Sequence, residues 1–168
     1  MTALLERGVD VVATDARSRE ALSAEGELPG PSPEPGDGSV EYVLEGHPES
    51  FLDGIDLLIV SPGVPTSIPV LWAARARAIP LIAEVELASR LLPGLVVGVT
   101  GTNGKSTTTA LIGELLLGAG CEAIACGNLG TPWIAYATRA LRATSEGPGS
   151  EGLVAPNRVW VVELSSFQ

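Results

Sequence analysis

The stretch from Leu95 to Ala119 constrains the fold of this chain more than any other part of it. An apolar run, Leu95-Val-Val-Gly-Val-Thr100, leads into Gly101-Thr-Asn-Gly-Lys-Ser106 and then into residues that read as a helix to Ala119. A strand that passes through a glycine turn into a helix is one unit of a parallel α/β sheet. The turn also has the make-up of a phosphate-binding loop. Its backbone N–H groups can point at phosphate oxygens, Lys105 supplies a compact charge, and the Ser106 hydroxyl can reach Mg2+. The helix behind it adds the positive end of its dipole. Lys105 is the only lysine; the other basic residues are nine arginines. The common form of such loops has Gly, four residues, then Gly-Lys-Ser or Gly-Lys-Thr. Here the first glycine slot holds Val99, so the loop is a shorter variant.

The rest of the chain continues the alternation. Strands are expected at 9–14, 40–44, 55–60, 80–82, 95–100, 122–126 and 159–163. The strand at 95–100 is expected to be buried. Helices are expected at 68–78, 84–92, 105–119 and 132–142, the third ended by Gly118 and Gly120. Residues 26–39 and 144–157 are too rich in Gly, Pro and polar groups for regular structure. No internal repeat is visible. The organisation is two α/β domains, a Rossmann-like parallel-sheet domain over 1–93 and the first half of a P-loop-type ATPase domain over 94–168. Residues 2–7 read as the last turn of a helix, and Gln168 follows a strand directly, so the chain reads as a fragment of a longer protein.

Composition narrows the partners. The 168 residues are 45% hydrophobic, enough for a packed core. A net charge of −10 argues against nucleic acid or an anionic membrane as partner. No apolar run approaches the ~18 residues of a membrane span. The N-terminal residues do not make a signal peptide, so the expected compartment is the cytoplasm. Cys121 and Cys126 are expected to be reduced thiols in or near the core. His47 stands before Pro48 in an expected loop, a solvated position.

Ligands of open α/β sheets bind beyond the carboxyl ends of the strands. The segments there are Asp15-Ala-Arg17, Ser61-Pro-Gly-Val-Pro65, the phosphate loop, Gly127-Asn-Leu-Gly130 and Glu163-Leu-Ser-Ser-Phe-Gln168. Each alone is weak. Ser-Pro-Gly is a common turn, and a Glu at a strand end is usually a solvated rim residue. Together, and with the spelling Thr-Gly-Thr-Asn-Gly-Lys-Ser-Thr at 100–107, they resemble the Mur ligase family, ATP-dependent amide ligases of peptidoglycan precursor synthesis. The stretch 163–168 and Asn103 resemble its D-glutamate-adding branch in particular.

That resemblance implies a reaction in which a carboxylate takes the γ-phosphoryl of ATP and the resulting acyl phosphate is attacked by an amine. The substrates implied are UDP-N-acetylmuramoyl-L-alanine, D-glutamate and ATP, with Mg2+, in a monomer when full length. ATP would be held by Gly101, Thr102, Asn103, Gly104, Lys105, Ser106 and Thr107. Lys105 and Glu163 would serve catalysis, and Ser106 and Glu163 would hold the metal. Asn128, Ser165 and Gln168 would contact the muramoyl-alanine part. Asp15, Arg17, Ser61, Pro62 and Gly63 would hold the UDP end. The family's first glycine-rich turn has no counterpart here. Its carbamylated lysine, metal-binding histidine and third domain would lie beyond Gln168, so the fragment alone is expected to be inactive. Ala16 stands where the family often has Thr. Alternatives stay open: another Mur ligase or a folylpolyglutamate synthase relative, the nucleotide module of a P-loop kinase or GTPase, and a non-catalytic dinucleotide-binding module.

Overall fold

The computed structural model describes residues 2–5, 7–26, 38–137, 140 and 157–165. Nearly all of the expected loops at 26–39 and 144–157, and Phe167 and Gln168, lie outside these residues, as does part of the expected helix at 132–142. The chain forms two compact units. One comprises Met1–Leu58 and Pro65–Leu81; the other comprises Ile59–Val64 and Ile82–Gln168.

The first unit opens with α1 (Thr2–Leu5), followed by β1 (Val11–Thr14), α2 (Arg19–Ala24) and β2 (Val40–Val43). Strands β1 and β2 run parallel, with Val11 level with Val40 and Thr14 level with Val43. Helix α2 was not foreseen. Its start is set by Ser18, whose hydroxyl accepts the Ala21 N–H at 3.3 Å. This is the side-chain cap that satisfies one orphan donor of a first turn. A single 3-10 turn at Glu49–Leu52, also unforeseen, buries Phe51 and Leu52. Helix α3 (Pro69–Ala76) begins with its proline in the first turn, where no N–H is needed, and buries Val70, Leu71 and Ala74. Two short strands, β3 (Leu58–Val60) and β4 (Leu81–Ala83), pair with each other, and most of both belongs to the second unit.

In the second unit α4 (Glu84–Leu91) is followed by β5 (Leu95–Val99), α5 (Lys105–Gly118), β6 (Ala123–Gly127) and β7 (Val159–Glu163). A helical stretch at 133–137 lies between the last two strands. The strand order is β5-β7-β6, all parallel. Central β7 is buried throughout. Its side chains alternate between two helical layers, as the pleat requires. Val159 and Val161 join Val99 and Ala123 in a cluster packed by Ile112 and Leu116 of α5. Trp160 and Val162 point the other way, into a cluster with Ala88 and Leu92 at α4, Trp133, Ala137, Ala140 and Cys126. Sheet and helices thus form three layers. The Trp160 indole N–H donates to the Pro93 carbonyl at 2.9 Å, so the largest core side chain keeps its polar edge satisfied.

The expectation that 95–100 is a buried strand is corrected. Strand β5 lies at an edge of the described sheet, and Leu95 and Val96 are 63% and 45% exposed. The apolar run is that of an inner strand, but only one side of β5 has a partner among the described residues. Both cysteines are free. Cys126 is fully buried, and that burial pushes its thiol pKa up to about 12, so it stays protonated and acts as a small apolar side chain.

Candidate functional site

Three strand ends come level at one edge of the second unit. Glu163, the last residue of β7, is in register with Val99 of β5 on one side and Gly127 of β6 on the other. The segments after these residues are the phosphate loop, the Leu164-Ser165 pair and the Asn128 turn. Backbone bonds tie them together. The Leu164 N–H donates to the Val99 carbonyl at 2.9 Å, and the Asn128 N–H donates to the Glu163 carbonyl at 3.0 Å. Gly127 has φ +101°, and a β-carbon there would stand 2.5 Å from the Glu163 carbonyl oxygen. Only glycine permits that close approach and that backbone angle.

The loop between β5 and α5 has the geometry expected of an anion cradle. Gly104 caps α5 in the left-handed region at φ 76°, and no side chain caps the helix. The 14-residue helix has no acidic residue in its first turn. Its free N–H groups and positive dipole end therefore meet no internal counter-charge. A β-carbon at Gly104 would meet nothing within 4 Å. Thr102, Asn103, Ser106 and Thr107 are exposed. The Lys105 ammonium folds back over its own loop, donating to the Gly101 carbonyl at 2.7 Å and reaching Thr102 O at 3.5 Å.

Glu163 departs from the usual solvated rim carboxylate. It is 3% exposed. One oxygen accepts from the Asn128 amide at 3.4 Å, while the other is buried with no hydrogen-bond partner among the described residues. An orphaned carboxylate oxygen is costly to bury, and a hard divalent cation is the kind of partner that satisfies it. The donor set is incomplete by itself. No group of three or more His, Cys, Asp or Glu forms a metal cluster among the described residues. A cation here would complete its shell from the Ser106 hydroxyl, phosphate oxygens and water, as Mg2+ does at nucleotide sites.

Glu163 and Asn128 also line a cavity of about 320 Å3 within the second unit. Pro62, Glu84, Val85, Gly127 and Trp133 are among the other residues lining it. So Pro62, Asn128 and Glu163, given separate roles in the sequence analysis, line one cavity. Glu84 and Trp133 were missed. In the sequence Glu84 is only the first residue of the expected helix at 84–92, and Trp133 only a residue within the one at 132–142. Burial raises the pKa of Glu84 above the ordinary glutamate value. Ser165 is half-buried beside this edge. Gln168 lies outside the described residues.

The remaining expected residues sit on turns. Ser61 to Val64 form a tight turn with Pro62 and Gly63 at its centre, closed by the Val64 N–H to the Ser61 carbonyl at 3.3 Å. In the first unit, Asp15 follows β1 and holds Arg17 by two side-chain bonds of 3.0 and 2.8 Å, and also accepts the Arg17 backbone N–H at 2.8 Å. These bonds to Arg17 lower the Asp15 pKa to about 2. Arg17 also pairs with Glu25. His47 takes a defined place beside this turn, with its Nδ1 2.9 Å from the Thr14 hydroxyl.

No family model matches the chain. Curated relatives do. It is 39% identical over 167 residues to a UDP-N-acetylmuramoylalanine–D-glutamate ligase of Alkaliphilus oremlandii, covering 98% of this chain and 32% of that protein. It is 44% identical over 165 residues to the protein of that name in Anaeromyxobacter dehalogenans, covering 96% and 30%. Over nearly its whole length this chain is similar to one part of those ligases. It spans about a third of the length of the relatives it matches. Among Mur ligases of known structure, the UDP-N-acetylmuramate:L-alanyl-gamma-D-glutamyl-meso-diaminopimelate ligase of Neisseria meningitides aligns over 100% of this chain and 51% of its own, at 22% identity and TM-score 0.45. A pseudomurein peptide ligase type C of Methanothermus fervidus aligns over 98% and 30%, at 21% identity and TM-score 0.40. Those two likenesses are too loose to bear on individual residues.

Proposed function

We propose that this chain is the ATP-binding and part of the UDP-substrate-binding portion of a ligase that joins D-glutamate to UDP-N-acetylmuramoyl-L-alanine. The observation that supports this most is the register of Val99, Glu163 and Gly127, because it sets the phosphate loop, an orphaned carboxylate and Asn128 side by side. The relatives' shared name supplies the substrates. The domain limit proposed is at 93/94, with the family's UDP-binding domain before it, although α4 packs within the second compact unit.

In this reading the substrate carboxylate attacks the γ-phosphate of ATP, releasing ADP and forming an acyl phosphate. The amine of D-glutamate then attacks the acyl carbon and phosphate leaves. Such transfer depends on positioning and charge neutralisation. Gly101, Thr102, Asn103 and Gly104 wrap the phosphates with backbone N–H groups. Lys105 leaves the Gly101 carbonyl to neutralise the β- and γ-phosphates. Ser106 and Glu163 hold Mg2+, which supplies charge neutralisation, and Thr107 supports the nucleotide. Asn128, Ser165 and Gln168 contact the muramoyl-alanine part. Asp15, Arg17 and the Ser61-Pro62-Gly63 turn hold the UDP end. The full-length protein works in the cytoplasm as a monomer. No helix among the described residues is long and apolar enough to cross a membrane.

Phosphate release by the full-length protein tests the reading. Release is expected only when ATP, UDP-N-acetylmuramoyl-L-alanine and D-glutamate are present together. Turnover with dihydrofolate and L-glutamate, and none with the expected pair, would overturn it.

A further inference from the structure

The cavity beside Glu163 has a wall that the proposed chemistry leaves unused. Glu84 is the first residue of α4, half-buried, and it lines the cavity together with Asn128 and Glu163. None of the described residues lining the cavity is basic. The other surfaces named on this wall, Pro62, Val85, Trp133 and Val162, are mainly apolar. A carboxylate in such surroundings is costly unless something donates to it.

Two buried groups at the same cavity lack partners. Glu163 and Trp133, each 3% exposed, line it, and the Glu163 Oε2 and Trp133 indole N–H have no hydrogen-bond partner among the described residues. A buried polar atom without a partner costs about 1–3 kcal/mol. Two such groups around one cavity mark a site completed by a ligand. Two carboxylates without a cation repel a phosphate or carboxylate, and they accept an uncharged N–H or O–H donor. If Glu163 is given to Mg2+, Glu84 is the charged acceptor left over.

We infer that Glu84 is a specificity-determining residue for the UDP-linked substrate, accepting a hydrogen bond from an amide N–H of its N-acylated sugar or amino-acyl arm. The inference rests on the proposed function and deepens the same site.

The test is equilibrium binding to the full-length protein, by calorimetry without ATP or Mg2+, so that chemistry plays no part. Glu84→Ala should raise the Kd for UDP-N-acetylmuramoyl-L-alanine at least tenfold, as loss of a bond to a charged acceptor does. Binding of an ATP analogue should change less than twofold. Glu84→Gln keeps size and helix position and should also weaken the UDP substrate, guarding against a folding defect in the alanine variant. UDP-N-acetylmuramate, which lacks the alanyl amide, identifies the donor. A smaller loss with it points to the alanyl N–H, and an equal loss to the acetamido N–H. Wild-type-like affinity in both variants would overturn the inference. So would equal weakening of the nucleotide. Failure of the wild type to bind the UDP substrate at all would overturn the proposed function, and this inference with it.

Discussion

The carbonyl oxygen of Glu163 lies 2.5 Å from the point where a β-carbon of Gly127 would stand. The backbones of β6 and β7 meet there more closely than any side chain permits, and Asn128 hangs from that junction through its N–H bond to the same carbonyl.

Gly127→Ala should therefore destabilise the protein by about 2–4 kcal/mol, combining a positive φ with a backbone clash. Urea unfolding of the variant measures this directly. A loss under about 0.5 kcal/mol would mean that the two strands can part freely at this point.

The contact between Lys105 and the Gly101 carbonyl predicts a clean separation of stability from activity. The side chain is at the surface of its loop, so Lys105→Ala should shift stability by no more than about 0.5 kcal/mol. Phosphate release by the full-length protein should nonetheless disappear. Lys105→Arg should fail as well, because a planar fork does not replace a compact ammonium. Parallel melting curves and phosphate assays check both halves; near-normal turnover in either variant removes Lys105 from the chemistry.

For Glu163, the buried orphan oxygen leads to a metal titration. Glu163→Gln keeps shape and removes the anion. The Mg2+ concentration for half-maximal turnover should rise by about tenfold or more, since a hard cation loses an anionic ligand. An unchanged titration curve would show that no cation binds this carboxylate.

The Asp15–Arg17 fork makes a prediction in acid. Folding lowers the Asp15 pKa from 3.8 to about 2, through its bonds to Arg17. A depressed carboxylate pKa stabilises the folded state above the unfolded pKa and is lost as pH falls through the folded one. The stability gap between wild type and Arg17→Ala should thus be constant above about pH 5 and close between about pH 4 and pH 2. The pair is partly exposed, so the gap should be at most about 1 kcal/mol. Denaturation series at several pH values will show whether the gap closes in that window; a gap that persists at pH 2 contradicts the assignment.

Much of this architecture could be read from local pattern. The apolar runs of β5 and β7 and the loop spelling before α5 announced themselves because strand burial and phosphate geometry both demand particular residues at fixed spacing. Helix α2 did not, because its six residues carry little periodicity and its start depends on the single hydroxyl of Ser18. The exposure of Leu95 could not be read either, since an edge strand and an inner strand differ in their neighbours and not in their own residues. Glu84 and Trp133 are the clearest case. They are far apart in sequence, belong to no motif, and become a site only where α4 and the 133–137 helix cover the same face of β7.

The aromatic packing under that face also makes the protein its own optical instrument. The rings of Trp133 and Trp160 are 6.1 Å apart, with Tyr136 at 5.5 Å from Trp160. The chain has only one other tryptophan, Trp72, which is 62% exposed and belongs to the first unit. Emission from the buried pair should lie to the blue of that from Trp72. A Trp72→Phe variant leaves tryptophan fluorescence only from Trp133, which lines the cavity, and from Trp160 packed against it. Occupancy can then be followed as a change in light, without a label and without turnover.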